Sequence, residues 1–199
     1  MIRIQRTVAP TLTALDAPTA RAWLKLDTID GAAIDQALDA EITALVAAAV
    51  DHIEAETARV LLPSTWRISY PAWPVNDCLD LPLAPVTAVS SIEYLDGLSA
   101  LRTLHADNTL VTLDGDYPSI TRAPGAVWPT LYASPAAVRV TVQAGYAAVA
   151  QIPPAITMAL RLLLGHWFAN RAAVQVGVSA TELPMGVRAL LDSAARVHL

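Results

Sequence analysis

The sequence predicts an α+β protein in which a helical body is interrupted by a small, mainly antiparallel β-sheet insertion. Three observations favour this class: a long helical period near the start, strand alternation with turn signals in the middle, and a second helical period near the end. We expect one domain over residues 1–199, with helical parts at 1–62 and 148–199 and the β insertion at 63–147.

The first helical part contains the longest predicted helix. Apolar residues recur at helical spacing between Ile34 and Leu62, and Pro63 marks the expected end. Upstream, Asp16 and Pro18 provide a capping residue and an early proline for a short helix over residues 20–26. The first sixty residues are therefore predicted to be helical.

The residue pattern of the middle third is typical of strands and turns. Apolar and polar residues alternate along Trp66–Tyr70 and Val138–Gln143, as is typical of half-buried strands. Two short β-branched or apolar runs precede the Asp-Gly pairs at 96–97 and 114–115, which favour hairpin turns. These signals predict a small antiparallel sheet.

The helical period returns in the last third. Two prolines at 153–154 predict a helix start, and an apolar stripe runs through Trp167 to about Ala173. A loop is expected over residues 174–183, followed by a last helix that begins at Pro184.

The composition limits the possible functions. The chain is 54% hydrophobic and only 16% charged, which excludes global disorder and favours protein partners. Its formal net charge of −5 argues against a generally cationic surface that grips nucleic acid. The single cysteine, Cys78, rules out an internal disulfide and fits a reducing compartment. We expect no secretory signal and no membrane span, because charges interrupt the apolar stretches before about 20 residues.

No residue pattern predicts catalysis, a cofactor or a metal. Cys78 has no activating motif around it, the four histidines lack the spacing of a helical metal pair, and no glycine-rich phosphate loop is present. The carboxylates Asp35, Asp39 and Glu41 are expected on the solvated face of the first long helix. We therefore predict that the protein is not an enzyme.

Two residues near the end of the third predicted helix suggest an interface. Phe168 lies one position off the apolar stripe, and Arg171 returns to the edge of that stripe. Aromatic residues and arginine are enriched in interfaces, so this geometry is consistent with a contact between subunits.

Several short motifs resemble those of the head-tail connector (adaptor) proteins of tailed phages. They are Gly145-Tyr146, Ile152–Ile156 (IPPAI), Leu162–Arg171 (LLLGHWFANR) and Leu183–Leu191 (LPMGVRALL). The likeness is best over residues 128–191, and related connectors belong to prophages and to the gene transfer agents of bacteria. The resemblance implies a structural subunit of a particle neck, assembled in the bacterial cytoplasm.

The resemblance also implies partners. They are further copies of the chain in a ring, commonly dodecameric, the portal protein above it, the stopper and tail-side neck proteins below it, and DNA that passes through the channel without sequence readout. No cofactor is implied. Arg188, Arg196, His198 and Leu199 are predicted to contribute to portal docking, since they form a basic end of the chain, and Asp35, Asp39 and Glu41 to face the channel.

Two other functions stay open from the residues alone. One is an unrelated intracellular enzyme or ligand-binding domain with a pocket between helices and sheet. The other is a DNA-packaging-associated protein that binds nucleic acid directly, which would need a basic patch.

Overall fold

The computed structural model describes residues 2–26, 36–170 and 185–195. The chain forms two compact units, each built from two segments. The sheet unit comprises Met1–Thr11 and Leu62–Ala147, and the helical unit comprises Leu12–Leu61 and Ala148–Leu199. The predicted mixed α+β class with antiparallel sheets is confirmed.

The sheet unit contains two antiparallel sheets. The five-stranded sheet has the order β1-β2-β8-β4-β5, and the three-stranded sheet has the order β3-β7-β6. The strands are β1 (Arg3–Val8), β2 (Ser64–Tyr70), β3 (Cys78–Asp80), β4 (Val86–Leu95), β5 (Leu101–Thr103), β6 (Thr109–Thr112), β7 (Ser119–Arg122) and β8 (Val138–Ala144).

Alternation along β2 and β8 sorts their side chains onto two faces of the five-stranded sheet. Ile68, Val138, Val140 and Val142 are fully buried, whereas the intervening Arg67 is exposed. The two strands pair residue for residue, from Ser64 opposite Ala144 to Tyr70 opposite Val138. The predicted half-buried strands are therefore confirmed, because period-two side chains leave one face for the core and one for solvent.

Both Asp-Gly pairs lie in the predicted hairpins. The first connects β4 to β5, and the second connects β6 to β7. In the first turn the Asp96 carboxylate accepts hydrogen bonds from the backbone N–H groups of Leu98 and Ala100 at 3.0 and 2.9 Å. The turn residues thus hold the strands in register locally.

The first strand corrects the prediction that the first sixty residues are helical. Residues 3–8 form β1, which pairs antiparallel with β2 and places Ile4 opposite Ile68. Apolar and polar residues alternate over residues 2–5, which is a strand signal. The run is too short to identify a strand unless its partner strand is known.

The helical unit contains four helices: α1 (Ala17–Leu24), α2 (Gln36–Thr57), α3 (Pro154–Ala169) and α4 (Met185–Ala194). As predicted, the Asp16 side chain caps α1 by accepting a hydrogen bond from Thr19 N at 3.0 Å, and Pro154 opens α3. α3 packs against α2 and α4, and its core side chains are Ile156, Leu160, Leu163 and Leu164. Val187 and Leu191 form the buried face of α4.

α2 is shorter than the periodicity predicted. The described helix has 22 residues and ends at Thr57, five residues before Leu62. Ala58 adopts a left-handed φ of 52°, and the Glu54 carboxylate accepts a hydrogen bond from Leu61 N at 2.7 Å, which closes the end of the helix. Val60 and Leu61 are buried beyond this end, so their burial, rather than helical structure, accounts for the apolar pattern there.

None of the helices among the described residues is long and apolar enough to cross a membrane. The loop predicted over residues 174–183 and the extension of α3 to Ala173 lie outside the described residues.

Candidate assembly surfaces

The predicted interface residues lie partly within the described chain. Phe168 is half-buried on the last turn of α3, and Arg188 is exposed on α4, a helix that packs against α3. Arg171, Arg196, His198 and Leu199 lie outside the described residues, as does Asp35. Of the predicted interface set, the structure therefore describes one aromatic and one cationic side chain on two packed helices.

The predicted channel residues differ in their surroundings. The Asp39 carboxylate forms a part-buried ion pair with the guanidinium of Arg21, and these side chains are only 29% and 13% exposed. Glu41 is exposed. Asp39 therefore links α2 to α1 and is not the solvated carboxylate that the sequence suggested, because a charge so enclosed is stabilised mainly by its partner.

Two helices of the helical unit, α1 and α3, meet at Trp23. Its indole Nε1 donates to the carbonyl of Arg161 at 3.0 Å, and the Arg161 guanidinium lies 5.5 Å from the Trp23 ring centre. A Cβ added at Gly165 would lie 4.0 Å from that indole nitrogen. The glycine of the LLLGHWFANR motif thus lies beneath an aromatic side chain that connects α1 to α3.

A second aromatic cluster organises the loops of the sheet unit. The rings of Trp73 and Trp128 stack with centroids 4.2 Å apart, and Trp128 Nε1 donates to Asp77 Oδ1 at 2.9 Å. Arg122 donates to the other carboxylate oxygen at 2.6 Å. This hydrogen bond is the main reason that the pKa of Asp77 lies below its ordinary value. Both the ring and the N–H group of Trp128 are thus engaged within the sheet unit.

Loops of the sheet unit expose aliphatic side chains to solvent. Val75 is fully exposed two residues before Asp77, and Val127 is 80% exposed beside Trp128. Leu98, in the β4–β5 turn, is 89% exposed. Apolar side chains that are exposed singly are normal on a folded protein, so these three residues by themselves do not indicate a binding surface.

The outer face of the five-stranded sheet is cationic. Arg3 and Arg139 both lie opposite Ser69, on β1 and β8, and Arg67 lies opposite Thr141. With neighbouring strands about 4.8 Å apart, Arg3 and Arg139 stand about 10 Å from each other, with Arg67 between them one strand away. We call Arg3, Arg67 and Arg139 the arginine face.

The arginine face has no signal in the sequence that would identify it as one surface. Alternation placed Arg67 and Arg139 on polar sides of two separate strands, but nothing local indicated that these strands pair. The third member, Arg3, belongs to a strand that was predicted as helix. The period-two pattern at residues 2–5 was the one available signal.

Among the described residues, Cys78 is not activated as a nucleophile. The Cys78 thiol lies 3.6 Å from Asp80 Oδ1, and burial is the main cause of its raised pKa, which disfavours the nucleophilic thiolate. The sheet unit has a groove of about 440 Å³ between β4 and residues 103–111, whose lining includes one titratable side chain, His105. Across the described residues, no group of three His, Cys, Asp or Glu side chains could hold a metal ion.

The chain is similar to chains of several solved structures. No family model and no curated protein matches the chain. A chain in the neck of an empty gene transfer agent particle, computed with C6 symmetry, is 27% identical with a TM-score of 0.77, over 99% of this chain and 97% of that one. A chain in the virion of a native gene transfer agent particle is 25% identical with a TM-score of 0.77, over 98% and 96%.

A third solved structure supports the fold alone. It is a chain in the neck of a native particle computed with C12 symmetry, 24% identical with a TM-score of 0.67 over 97% of both chains. The resemblance to neck proteins of gene transfer agents, which the sequence motifs carried over residues 128–191, therefore extends over almost the entire chain.

Proposed function

We propose that this chain is a structural adaptor subunit in the neck of a gene transfer agent or related tailed-phage particle. The observation that carries the proposal is the full-length similarity to a neck chain, with a TM-score of 0.77 and nearly complete coverage of both chains. Each unit is built from two separate chain segments, so a similarity that covers both units also covers the order in which the chain passes between them. Such a similarity is stronger support for a shared role than a match to one unit.

In this proposal the subunit acts by assembly and not by catalysis. It forms a ring below the portal, assembled in the bacterial cytoplasm, and DNA passes through the centre without being read. The C6 symmetry of the neck that contains the 27% identical chain supports a ring, and a twelve-subunit ring is compatible with that symmetry. The chain starts in the sheet unit with β1, continues through the first half of the helical unit, and comes back to the sheet unit at Leu62.

The portal-docking surface is proposed to lie on α3 and α4. Arg188 supplies an exposed cation on α4, upstream of Arg196, His198 and Leu199. Phe168 supplies an aromatic side chain on α3, upstream of Arg171, for contact with the neighbouring subunit or with the portal. Aromatic and arginine side chains contribute disproportionately to binding energy when a partner covers them. The stopper and tail-side neck proteins would bind elsewhere on the same ring.

The channel wall is proposed to be weakly acidic. Glu41 and Asp35 would face DNA, whereas the ion pair with Arg21 reduces the charge that Asp39 presents. An acidic or neutral wall neutralises few phosphates, so DNA would release few counterions and could slide.

Co-purification with the portal protein of the same particle tests the adaptor function. We expect a stable complex whose mass, by light scattering, corresponds to a ring of this chain on the portal ring. Particles that lack the chain should accumulate as heads without tails. A protein that neither binds the portal nor occurs in purified particles would contradict the proposal.

Two variants locate the docking surface. Arg188→Ala should weaken portal binding, and Arg102→Ala is the matched control, because Arg102 is an exposed arginine of the sheet unit, paired with Asp96 at 3.0 Å. Removal of residues 196–199 should weaken binding while sparing the hydrogen bond from Arg59 Nε to the Ala194 carbonyl at 2.7 Å. Normal binding by both the truncated chain and Arg188→Ala would exclude this surface.

A further inference from the structure

The five-stranded sheet is open at both of its ends. β1 is the last strand on one side, and five of its six residues are exposed. On the other side, β5 pairs with β4 only from Glu93 to Leu95. Across the described residues, no strand pairs with that side of β4 over its first six residues, Val86–Ser91. Within the described chain, the sheet therefore ends in two unpaired stretches of equal length.

An apolar row crosses the sheet from one open end toward the other. Ile4, Ile68, Val140 and Ile92 lie opposite one another on β1, β2, β8 and β4. Ile68 and Val140 are fully buried and Ile92 is 7% exposed, whereas Ile4 is 44% exposed. The row is thus covered along its inner strands and open at Ile4.

The groove of about 440 Å³ lies at the other end of this row. Ile92 lines it together with Val89, Leu104 and Val111, so its walls are largely aliphatic. Residues 89–91 line it as well, which places the groove beside the unpaired stretch of β4. The same sheet therefore has an exposed isoleucine at one open end and an apolar groove at the other.

The backbone of Ile4 is free to pair with another strand. Leu104 N donates to the Ile92 carbonyl at 2.8 Å, so the N–H and carbonyl groups of Ile92 point away from β8. In antiparallel strands, opposite residues direct these groups either at each other or away from each other. Val140 and Ile68 therefore bond to each other, and Ile4 directs its N–H and carbonyl outward. A strand added at this end would leave the pairing of β1 with β2 intact.

We propose that β1 of one copy pairs with the open stretch of β4 on an adjacent copy, with Ile4 entering the apolar groove. The inference rests on the proposed function in one respect, namely that identical copies stand side by side in a ring. A closed ring of identical subunits needs two unlike, complementary faces on every copy. The two open ends of the sheet supply such a pair.

The strand directions fit this arrangement. β1 and β4 run in opposite directions, because three antiparallel pairings separate them. A second copy in the same orientation therefore presents its β1 antiparallel to β4, and the sheet continues from copy to copy with its faces unchanged. The first residues of that β1 then lie at the Ile92 end of the stretch, where the groove is.

A second copy fits these ends better than an unrelated partner does. The two stretches match in length and direction, and the apolar side chain at one end matches the apolar groove at the other. Open sheet edges readily pair with extended strands, with backbone hydrogen bonds for affinity and side-chain pockets for specificity. One sheet that carries both halves of such a contact is complementary to itself.

Two lysine variants test the contact. Ile4→Lys places a charge on the strand that enters the groove, and Val111→Lys places one on the groove wall, where Val111 is 43% exposed. We expect each variant alone to self-associate at least about tenfold more weakly than the natural protein, because a charge would be buried in an apolar site. Sedimentation equilibrium of the full chain measures the association, and circular dichroism measures folding.

The chain offers a matched control for each variant. Gln5 is the exposed neighbour of Ile4 on the opposite face of β1, and Leu110 is the exposed neighbour of Val111 on β6, outside the groove lining. Gln5→Lys and Leu110→Lys should change the association by about twofold at most.

Mixing the two variants gives the sharpest readout. The Ile4→Lys copy keeps an intact groove, and the Val111→Lys copy keeps an intact β1. An equal mixture should therefore form one-to-one dimers and nothing larger, because only one contact can form between them. A variant that fails to fold would give no dimer. In the natural protein, association should also slow hydrogen exchange at the Ile4 amide, which the monomer leaves open.

Four outcomes would overturn the proposal: a natural protein that stays monomeric, a mixture that forms no dimer, lysine variants that associate normally, or an Ile4 amide that exchanges equally fast in the assembled protein. Normal association of Val111→Lys with loss in Ile4→Lys would assign β1 to a symmetric contact between two β1 strands. The adaptor function would survive each of these, since portal binding tests it separately.

Discussion

The indole rings of Trp73 and Trp128 stack with their centroids 4.2 Å apart and their planes 9° from parallel, although 55 positions separate them in the chain. Both ring nitrogens are satisfied, Trp73 by the Pro129 carbonyl at 2.9 Å and Trp128 by Asp77. The pair therefore holds together the loop before β3 and the loop before β8, which display Val75 and Val127.

Truncation of this pair should destabilise the sheet unit. Trp128→Ala removes the stacking and the hydrogen bond, and we expect a loss of about 3 kcal/mol in the free energy of unfolding. Trp128→Phe keeps an aromatic ring but not the N–H donor, so it should cost about 1 kcal/mol. Urea titration measures both, and equal losses in the two variants would argue against a role for stacking.

Asp77 should make stability depend on pH in the acid range. Its folded-state pKa is lowered, mainly by Arg122, so its contribution is present above the ordinary carboxyl pKa of about 4 and is lost as pH falls through the lower folded value. The stability difference between the natural protein and Asp77→Asn should be largest at neutral pH and should shrink as pH falls through the lowered folded-state pKa of Asp77. A difference that stays constant over this range would contradict the prediction.

Gly145 should not tolerate a side chain. Its φ is +113°, and an added Cβ would lie 2.3 Å from the Leu62 carbonyl oxygen. Gly145→Ala combines backbone strain with a backbone clash, so we expect a loss of about 3 kcal/mol or more. Gly115→Ala is the control, with φ +77° but open space around it, and should cost about 1 kcal/mol. Thermal unfolding compares them, and equal costs would exclude the clash.

The ion pair between Arg21 and Asp39 should couple α1 to α2. Both side chains are less than one-third exposed, so we expect a coupling free energy of about 1 kcal/mol in a double-mutant cycle of Arg21→Ala and Asp39→Ala. Denaturant unfolding of the four proteins gives this value. Additive single effects would show that the pair contributes nothing to stability.

Elements with local signals were predicted well. The Asp16 cap, the proline start of α3 and the two Asp-Gly hairpins depend on residues within a few positions of each other. The end of α2 was predicted five residues late, because Val60 and Leu61 continue the apolar period after the backbone has left the helix at Ala58. Burial and helical structure leave the same apolar signature, so periodicity could not separate them.

The candidate surfaces were predicted less well. Phe168 was identified from its position beside the apolar stripe, and Arg188 from the basic end of the chain. Both lie on packed helices, and their roles in an interface remain predictions. Asp39 was expected in solvent but is paired with Arg21, which lies eighteen positions earlier in the chain. The sequence between these two residues has no periodic pattern that would predict how α1 and α2 are oriented.

By itself, the sequence determined the α+β class, the order of most elements, the absence of a recognisable catalytic motif and the likeness to neck proteins. These depend on composition, short-range periodicity and motifs of a few residues, which are properties of the chain before it folds. Only the tertiary structure decided that residues 3–8 join the five-stranded sheet, that Trp73 meets Trp128, and that Arg3, Arg67 and Arg139 share one face. The pairing of β2 with β1 and β8 joins residues that are 57 to 80 positions apart. The free energy that selects one pairing comes from side chains buried together in the folded protein.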